Sequence, residues 1–415
     1  MVRLDLHDVL ATPITGATVG FPANASVTLG EVRSQGWGRA DLTLPSVTLR
    51  ERALAHNLAR MARYCADEDV DLAPHGKTTM APQLWARQLE AGAWGITAAT
   101  PAQARAMVRV GVPRVLLANE VVDAPSIAWV AAALEDPGPS LACWVDSLEG
   151  VRILSDGLSR AGVPRPLDVM VEVGHRGGRA GARSVEAALE VARAAARAPA
   201  LRFVGVAGYE GTLGHERTAP VIGAVDRYLA TIRAVAERAI DEGLVGPDVW
   251  ISAGGSIFFD RVVEGLRDGW PDGADVRLVL RAGCTITHDH GVYARGTPLA
   301  GDDGFIPAFD VRGAVLSRPE PETIVVGVGK RDVPFDVDPP VALEVGGRPL
   351  ADGEVVITRL MDQHAICTVR ADIEALVGEE VRFGISHPCA AFDRRRVIAV
   401  LDDDDLVVSA IATVF

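Results

Sequence analysis

From about residue 46 to residue 290, short apolar runs alternate with stretches of helical period. The β-rich runs fall at 46–49, 70–74, 94–98, 114–118, 141–145, 168–173, 203–208, 249–253 and 277–281. Between them apolar positions recur every three or four residues, as over 101–110, 148–160, 185–198, 220–242 and 259–266. That spacing puts one apolar stripe on a helix. With 46–49 set aside as a lead-in strand, eight strands remain, most followed by a helix. Such alternation predicts a parallel sheet with crossover helices. Eight units over about 250 residues predict a closed (β/α)8 barrel of TIM type, an α/β fold. An open doubly wound sheet would alternate in the same way, but no G-x-G-x-x-G follows the first strand.

After about residue 300 the helical period fades. Short β-like runs follow at 323–327, 341–345, 354–360, 365–369, 380–384, 397–400 and 407–413, punctuated by Pro and Gly. This texture predicts a second, β-rich domain. Residues 1–45, with 25–32 extended, are expected to join it. The expected division is therefore a barrel over 46–300 and a β-rich domain formed by 1–45 plus 301–415. The acidic run Asp402–Asp405 is expected to be a solvated turn.

Composition narrows the function classes. Hydrophobic residues make up 48% and charged residues 23% of the 415, as in a folded globular chain. Lys plus Arg less Asp plus Glu is 41 − 55 = −14. An acidic surface argues against nucleic acid, so an anionic ligand must be met by local donors. Arg3, Asp5, His7 and Asp8 interrupt the start of the chain, which argues against a signal peptide. The longest apolar runs, such as 127–134, are far short of a membrane span. Five scattered cysteines (Cys65, Cys143, Cys284, Cys367 and Cys389) suggest a reducing cytoplasm rather than a disulfide framework.

In a barrel, chemistry sits on the loops after the strands, and the unusual residues fall there. Lys77, in Pro74-His75-Gly76-Lys77-Thr78-Thr79-Met80, follows the first strand, and Asn119 the third. Gly174-His175-Arg176-Gly177-Gly178-Arg179-Ala180-Gly181 follows the fifth, and Tyr209-Glu210-Gly211 the sixth. Ser252-Ala253-Gly254-Gly255-Ser256 follows the seventh and Arg281-Ala282-Gly283-Cys284 the eighth. A glycine loop opening a helix lets the backbone approach an anion, and barrel phosphate sites recur after strands seven and eight. A plain Gly-rich turn would look the same in isolation. A lysine buried opposite such a loop tends to lose its proton and attack an aldehyde, whereas a solvated one does not. Later come His387-Pro388-Cys389, an N/S pair that suits zinc, or simply a structural His and a buried Cys. His364, in Met361-Asp362-Gln363-His364, is a candidate acid, base or substrate contact. His288, Asp289 and His290 form a polar cluster expected in a solvated loop.

Taken together these motifs resemble the fold-type III pyridoxal-phosphate enzymes, the alanine-racemase-like barrel with a β domain. Within that class they resemble the D-serine dehydratase and D-threonine aldolase group. The resemblance rests on Pro74-His75-Gly76-Lys77-Thr78, Arg179-Ala180-Gly181, Tyr209 with Gly211, Gly254-Gly255-Ser256, Asp362-Gln363-His364 and His387-Pro388-Cys389, in that order along the chain. It implies that Lys77 holds pyridoxal 5'-phosphate and moves protons at Cα. Arg179, with Arg176 as a second candidate, would meet the cofactor's phenolic oxygen, and Tyr209 its pyridine nitrogen. Gly254, Gly255, Ser256, Gly283 and Cys284 would cradle its phosphate. His387 and Cys389 would hold Zn2+ or another divalent metal. The aldolase branch tends to pair His with Asp, so Cys389 tilts the reading toward a dehydratase. The implied activity is elimination from a D-3-hydroxyamino acid such as D-serine, D-threonine or 3-hydroxyaspartate, giving a 2-oxo acid and ammonia. Retro-aldol cleavage to glycine and an aldehyde is the near rival, and a non-catalytic carrier of the cofactor the more distant one. A homodimer is implied by the resemblance alone.

Overall fold

The computed structural model describes residues 3–415. Strand β1 (Ser46–Arg50) leads into helix α1 (Glu51–Asp67). Eight parallel strands follow: β2 (Asp71–Leu72), β3 (Ile96–Ala98), β4 (Arg114–Glu120), β5 (Ser140–Val145), β6 (Leu167–Val173), β7 (Leu201–Gly208), β8 (Asp248–Ala253) and β9 (Asp275–Leu280). They pair in chain order from β3 round to β9, and β9 pairs back onto β2. The ring closes between β2 and β3 through a parallel bridge of His75 with Thr97 and a bond from Trp94 N–H to the Leu72 carbonyl. The expected (β/α)8 barrel is the observed fold.

Local sequence explains the helices between the strands. Helices α2 (Pro82–Glu90), α3 (Pro101–Arg109), α4 (Ala124–Glu135) and α7 (Ala219–Asp241) open with a Pro in the first turn, where a missing N–H does no harm. Thr100 and Asp123 cap α3 and α4. Ser147 and Ser184 cap α5 (Leu148–Ala161) and α6 (Val185–Arg197), each side-chain oxygen taking an N–H worth about 1 kcal/mol. α8 (Phe259–Leu266) follows β8. No such helix follows β9; α1 packs against the turn Cys284–Ile286 instead. Ala73, Leu116, Trp144, Met170, Trp250 and Val279 fill the lumen, so the barrel is packed and open to ligand only at its rim.

The second sheet is built around β10 (Phe309–Glu320). It pairs antiparallel with β11 (Thr323–Val326), with β15 (Glu380–Gly384) and with β1. The longer remaining strands are β12 (Val341–Val345), β13 (Val355–Leu360), β14 (Ala365–Val369), β16 (Val397–Leu401) and β17 (Val407–Ala412), and a two-residue strand Arg348–Pro349 pairs with β12. By pairing, residues 46–50 sit in this sheet rather than in the barrel, between β10 and β16. The N-terminal segment packs on β16 and β17 through Val9, Ile14, Phe21, Leu29 and Val32. The stretch expected to be extended over 25–32 is a strand only at Ser26–Thr28, after which a 3-10 helix runs over Leu29–Gln35. The acidic turn is ion-paired as well as exposed: Asp405 meets Arg50 at 2.5 Å and Arg39 at 3.1 Å.

Candidate active site

A cavity of about 380 Å³ opens at the C-terminal ends of the barrel strands, under the second domain. Lys77, Arg179, Tyr209, Gly255, Ser256, Gly283, Cys284, His387 and Cys389 all line it. Gly254 lies directly beside it in the same loop. Arg176 is exposed and does not line the cavity. His364 is also exposed, on the turn between β13 and β14, and within this chain it is outside the cavity. A larger hollow of about 480 Å³ lies outside the barrel, between α1, β2 and β9, and holds none of the candidate residues.

Lys77 sits on the one-turn 3-10 helix Gly76–Thr78 after β2. Its neighbour Gly76 has no room for a side chain: a Cβ would meet Ile96 Cγ2 at 2.7 Å. The His75 N–H donates to the Arg281 carbonyl, which ties the first strand's loop to the last strand. The His75 imidazole is held neutral, since burial and then Lys77 and Arg281 push its pKa well below the usual value. His75 Nδ1 is buried without a partner.

The glycine loop after β8 departs from expectation in one respect. The Gly254 and Gly255 N–H groups do not face open space. Both donate to the carboxylate of Glu210, at 3.2 and 2.5 Å, and Glu210 is 0% exposed. Among the described residues, the backbone N–H groups of Ser256 and Ile257 have no protein acceptor. The Ser256 hydroxyl accepts from Cys284 N–H at 3.1 Å, which joins the seventh and eighth loops. A Cβ on Gly255 would meet the Tyr209 ring at 2.8 Å. Tyr209 is fixed by its N–H donating to the Tyr228 hydroxyl at 2.9 Å, and the Arg179 guanidinium lies 4.8 Å from its ring centre. Arg281, which carries no assigned role in the sequence reading, is buried at the centre. It donates to the Ser252 hydroxyl and the Gly208 carbonyl, each at 2.6 Å. Lys77, Arg179 and Arg281 thus line the same cavity as open backbone donors, and these residues fit an anionic group that also carries an aldehyde.

His387 and Cys389 occupy the rim nearest the second domain. His387 is extended and caps a 3-10 turn over Pro388–Ala390, which Pro388 opens and which has Cys389 at its centre. His387 Nδ1 bonds Asp336 at 2.7 Å. Burial alone would lower its pKa, but Cys389 and Asp336 outweigh burial and raise it to about 9. The Cys284 hydrogen bond and then His387 hold Cys389 well below the usual thiol value despite burial. A thiolate beside an imidazole whose far nitrogen is held by a carboxylate is a donor set that fits zinc. Among the described residues, no group of three or more His, Cys, Asp or Glu side chains could hold a metal.

Sequence reasoning missed Glu172, Glu210, Tyr293 and Asp336. Glu172 and Tyr293 line the cavity, and the Tyr293 ring lies 6.0 Å from that of His387. The cluster expected to be a solvated loop is buried: His288 is 4% exposed and Asp289 0%. Asp289 accepts N–H bonds from Gly291, Tyr293 and Ala294, so it fixes the short helix that presents Tyr293.

Residues 49–262 match the alanine racemase N-terminal domain, and residues 308–401 match a serine dehydratase domain. The D-threonine aldolase of Arthrobacter sp. is 27% identical over 368 residues, covering 88% of this chain and 90% of that protein. The crystal structure of D-threonine aldolase from Filomicrobium marinum superposes with a TM-score of 0.76 at 27% identity, covering 91% of this chain and 96% of that one. D-threo-3-hydroxyaspartate dehydratase from Delftia sp. HT23 superposes with a TM-score of 0.72 at 22% identity, covering 90% and 98%, a likeness of fold.

Proposed function

This chain belongs to the family of the alanine racemase N-terminal domain, a fold-type III pyridoxal-phosphate architecture, and from that premise we propose a dehydratase. Its substrate is a D-3-hydroxyamino acid such as D-serine, D-threonine or 3-hydroxyaspartate, and its products are a 2-oxo acid and ammonia. Pyridoxal phosphate is held at Lys77 and a divalent metal, zinc by its donor set, at His387 and Cys389. The observation that carries this reading is that Lys77 and the His387–Cys389 pair line one cavity.

Bound pyridoxal phosphate supplies an electron sink for charge at Cα, and a bound divalent cation supplies Lewis acidity at a departing oxygen. The chain's own groups do the rest. Lys77 is the one lysine lining the cavity, so its Nζ takes the Cα proton. Ser256 and Ile257 would offer their open N–H groups to the phosphate, and the buried Arg281 lines the same cavity. Arg179, held over Tyr209, would donate to the cofactor's phenolic oxygen. His387, its Nδ1 held by Asp336, would bind the cation as a neutral imidazole at the rim where hydroxide leaves. Loss of the Cα proton and of hydroxide leaves an enamine, which water converts to the 2-oxo acid and ammonia.

A second reading is retro-aldol cleavage, favoured by the 27% identity to two D-threonine aldolases. It requires a proton to be taken from the β-hydroxyl instead of a leaving hydroxide to be stabilised. One assay separates the two. A D-3-hydroxyamino acid turned over to 2-oxo acid and ammonia supports the proposal, whereas glycine plus an aldehyde overturns it in favour of cleavage. The homodimer and the cytoplasmic setting belong to the same proposal. Among the described residues, no helix is long and apolar enough to cross a membrane.

A further inference from the structure

Cys284 and Cys389 meet in the cavity although 105 positions separate them. Their Sγ atoms lie 3.3 Å apart, and the Thr78 hydroxyl sits 3.7 Å from the first and 3.9 Å from the second. Cys284 belongs to the turn after the last barrel strand, and Cys389 to the turn of the second domain that also carries His387. The other three thiols lie elsewhere, Cys65 and Cys143 in the layer between barrel and helices and Cys367 in the core of the second sheet. A disulfide needs sulfur atoms about 2 Å apart, so a closure of about 1 Å would join the pair. Cys389 is partly accessible and lines the cavity, so a small dissolved oxidant reaches it. Cys284 is only 4% exposed and is reached through its neighbour.

We propose that Cys284 and Cys389 form a reversible disulfide, a modification site that ties the eighth barrel loop to the His387 segment. Hydrogen peroxide is a sufficient oxidant. The Cys389 sulfur attacks one peroxide oxygen, the O–O bond breaks, and the departing hydroxide takes a proton to become water. The Cys284 sulfur then displaces the hydroxyl from Cys389. The S–S bond forms, and the hydroxyl leaves as a second water with the Cys284 proton. Two thiols are oxidised, and one peroxide is reduced to two waters. A dithiol reductant reverses the bond by exchange. The cross-link goes beyond the proposed function, and only its consequence, that Cys389 can no longer bind metal, rests on that reading.

The test uses the full chain, purified reduced, stripped of metal with a chelator and treated with hydrogen peroxide. Thiols titrated in denaturant should fall from five to 5 − 2 = 3. A peptide map should join Cys284 to Cys389, and dithiothreitol should restore the thiols. In Cys284→Ser, peroxide should carry Cys389 to acids that dithiothreitol does not reduce. Five thiols surviving, or a different pair joined, overturns the proposal. Zinc added beforehand should slow the cross-link. If the pair joins equally fast with zinc present, the metal assignment fails while the disulfide stands.

Discussion

Glu210 shows how one side chain alters the meaning of a motif. In the sequence, Gly254-Gly255-Ser256 reads as a row of free N–H groups. In the fold, a fully buried carboxylate already accepts the first two, so an anion would be met by the later ones. Tyr209 stood out because it begins a strand-end loop with Gly211 two positions on; nothing local marks that Glu210 folds back. Glu120 and Glu172, at the ends of β4 and β6, were equally hidden. Burial and then Glu172 raise the Glu120 carboxyl to about 8, and burial also raises Glu172. The folded state then keeps a proton that the unfolded chain releases, so stability falls as pH rises from the ordinary carboxyl range to about 8. Glu120→Gln cannot ionise and should flatten that fall. Its urea midpoint is expected above that of the parent at about pH 9 and close to it at about pH 5. The same decline in both proteins would contradict the raised Glu120 carboxyl.

At the scale of elements, the barrel strands and their helices were readable because each is locally consistent. Continuous apolar runs make strands buried on both faces, and Pro, Ser, Thr and Asp mark the helix starts. The N-terminal segment was misread as extended over 25–32, although Thr28 and Glu31 carry the spacing of a capping box that opens the 3-10 helix. The His288–His290 loop was misread as solvated because three polar residues in a row look wet. Its burial comes from contacts with the second domain, such as the His290 N–H donating to the Ile385 carbonyl. Asp289→Ala should leave three N–H groups without their acceptor and lower stability by about 2–4 kcal/mol. Chemical denaturation checks this, and a loss within about 0.5 kcal/mol would show that Asp289 does not hold the Tyr293 helix.

The whole molecule is interleaved in a way that local periodicity does not reveal. β1 lies between strands that arrive more than 250 residues later, and the sequence alone made it a lead-in to the barrel. Asp310, 4% exposed, anchors that arrangement by accepting from Arg50 at 2.6 Å and from Arg382 at 3.1 Å. Asp310→Ala should cost about 3 kcal/mol in a denaturation midpoint because two cations lose their buried partner. An unchanged midpoint would show that pairing alone seats β1. The place of His364 was likewise illegible, since only tertiary structure puts its turn outside the cavity. The account as a whole depends on Lys77 being the residue that carries the cofactor. Reduction of the pyridoxal-phosphate-loaded protein with borohydride, followed by peptide mapping, tests this most directly: the fixed cofactor should lie on Lys77, and its appearance on another lysine, or on none, would contradict the account.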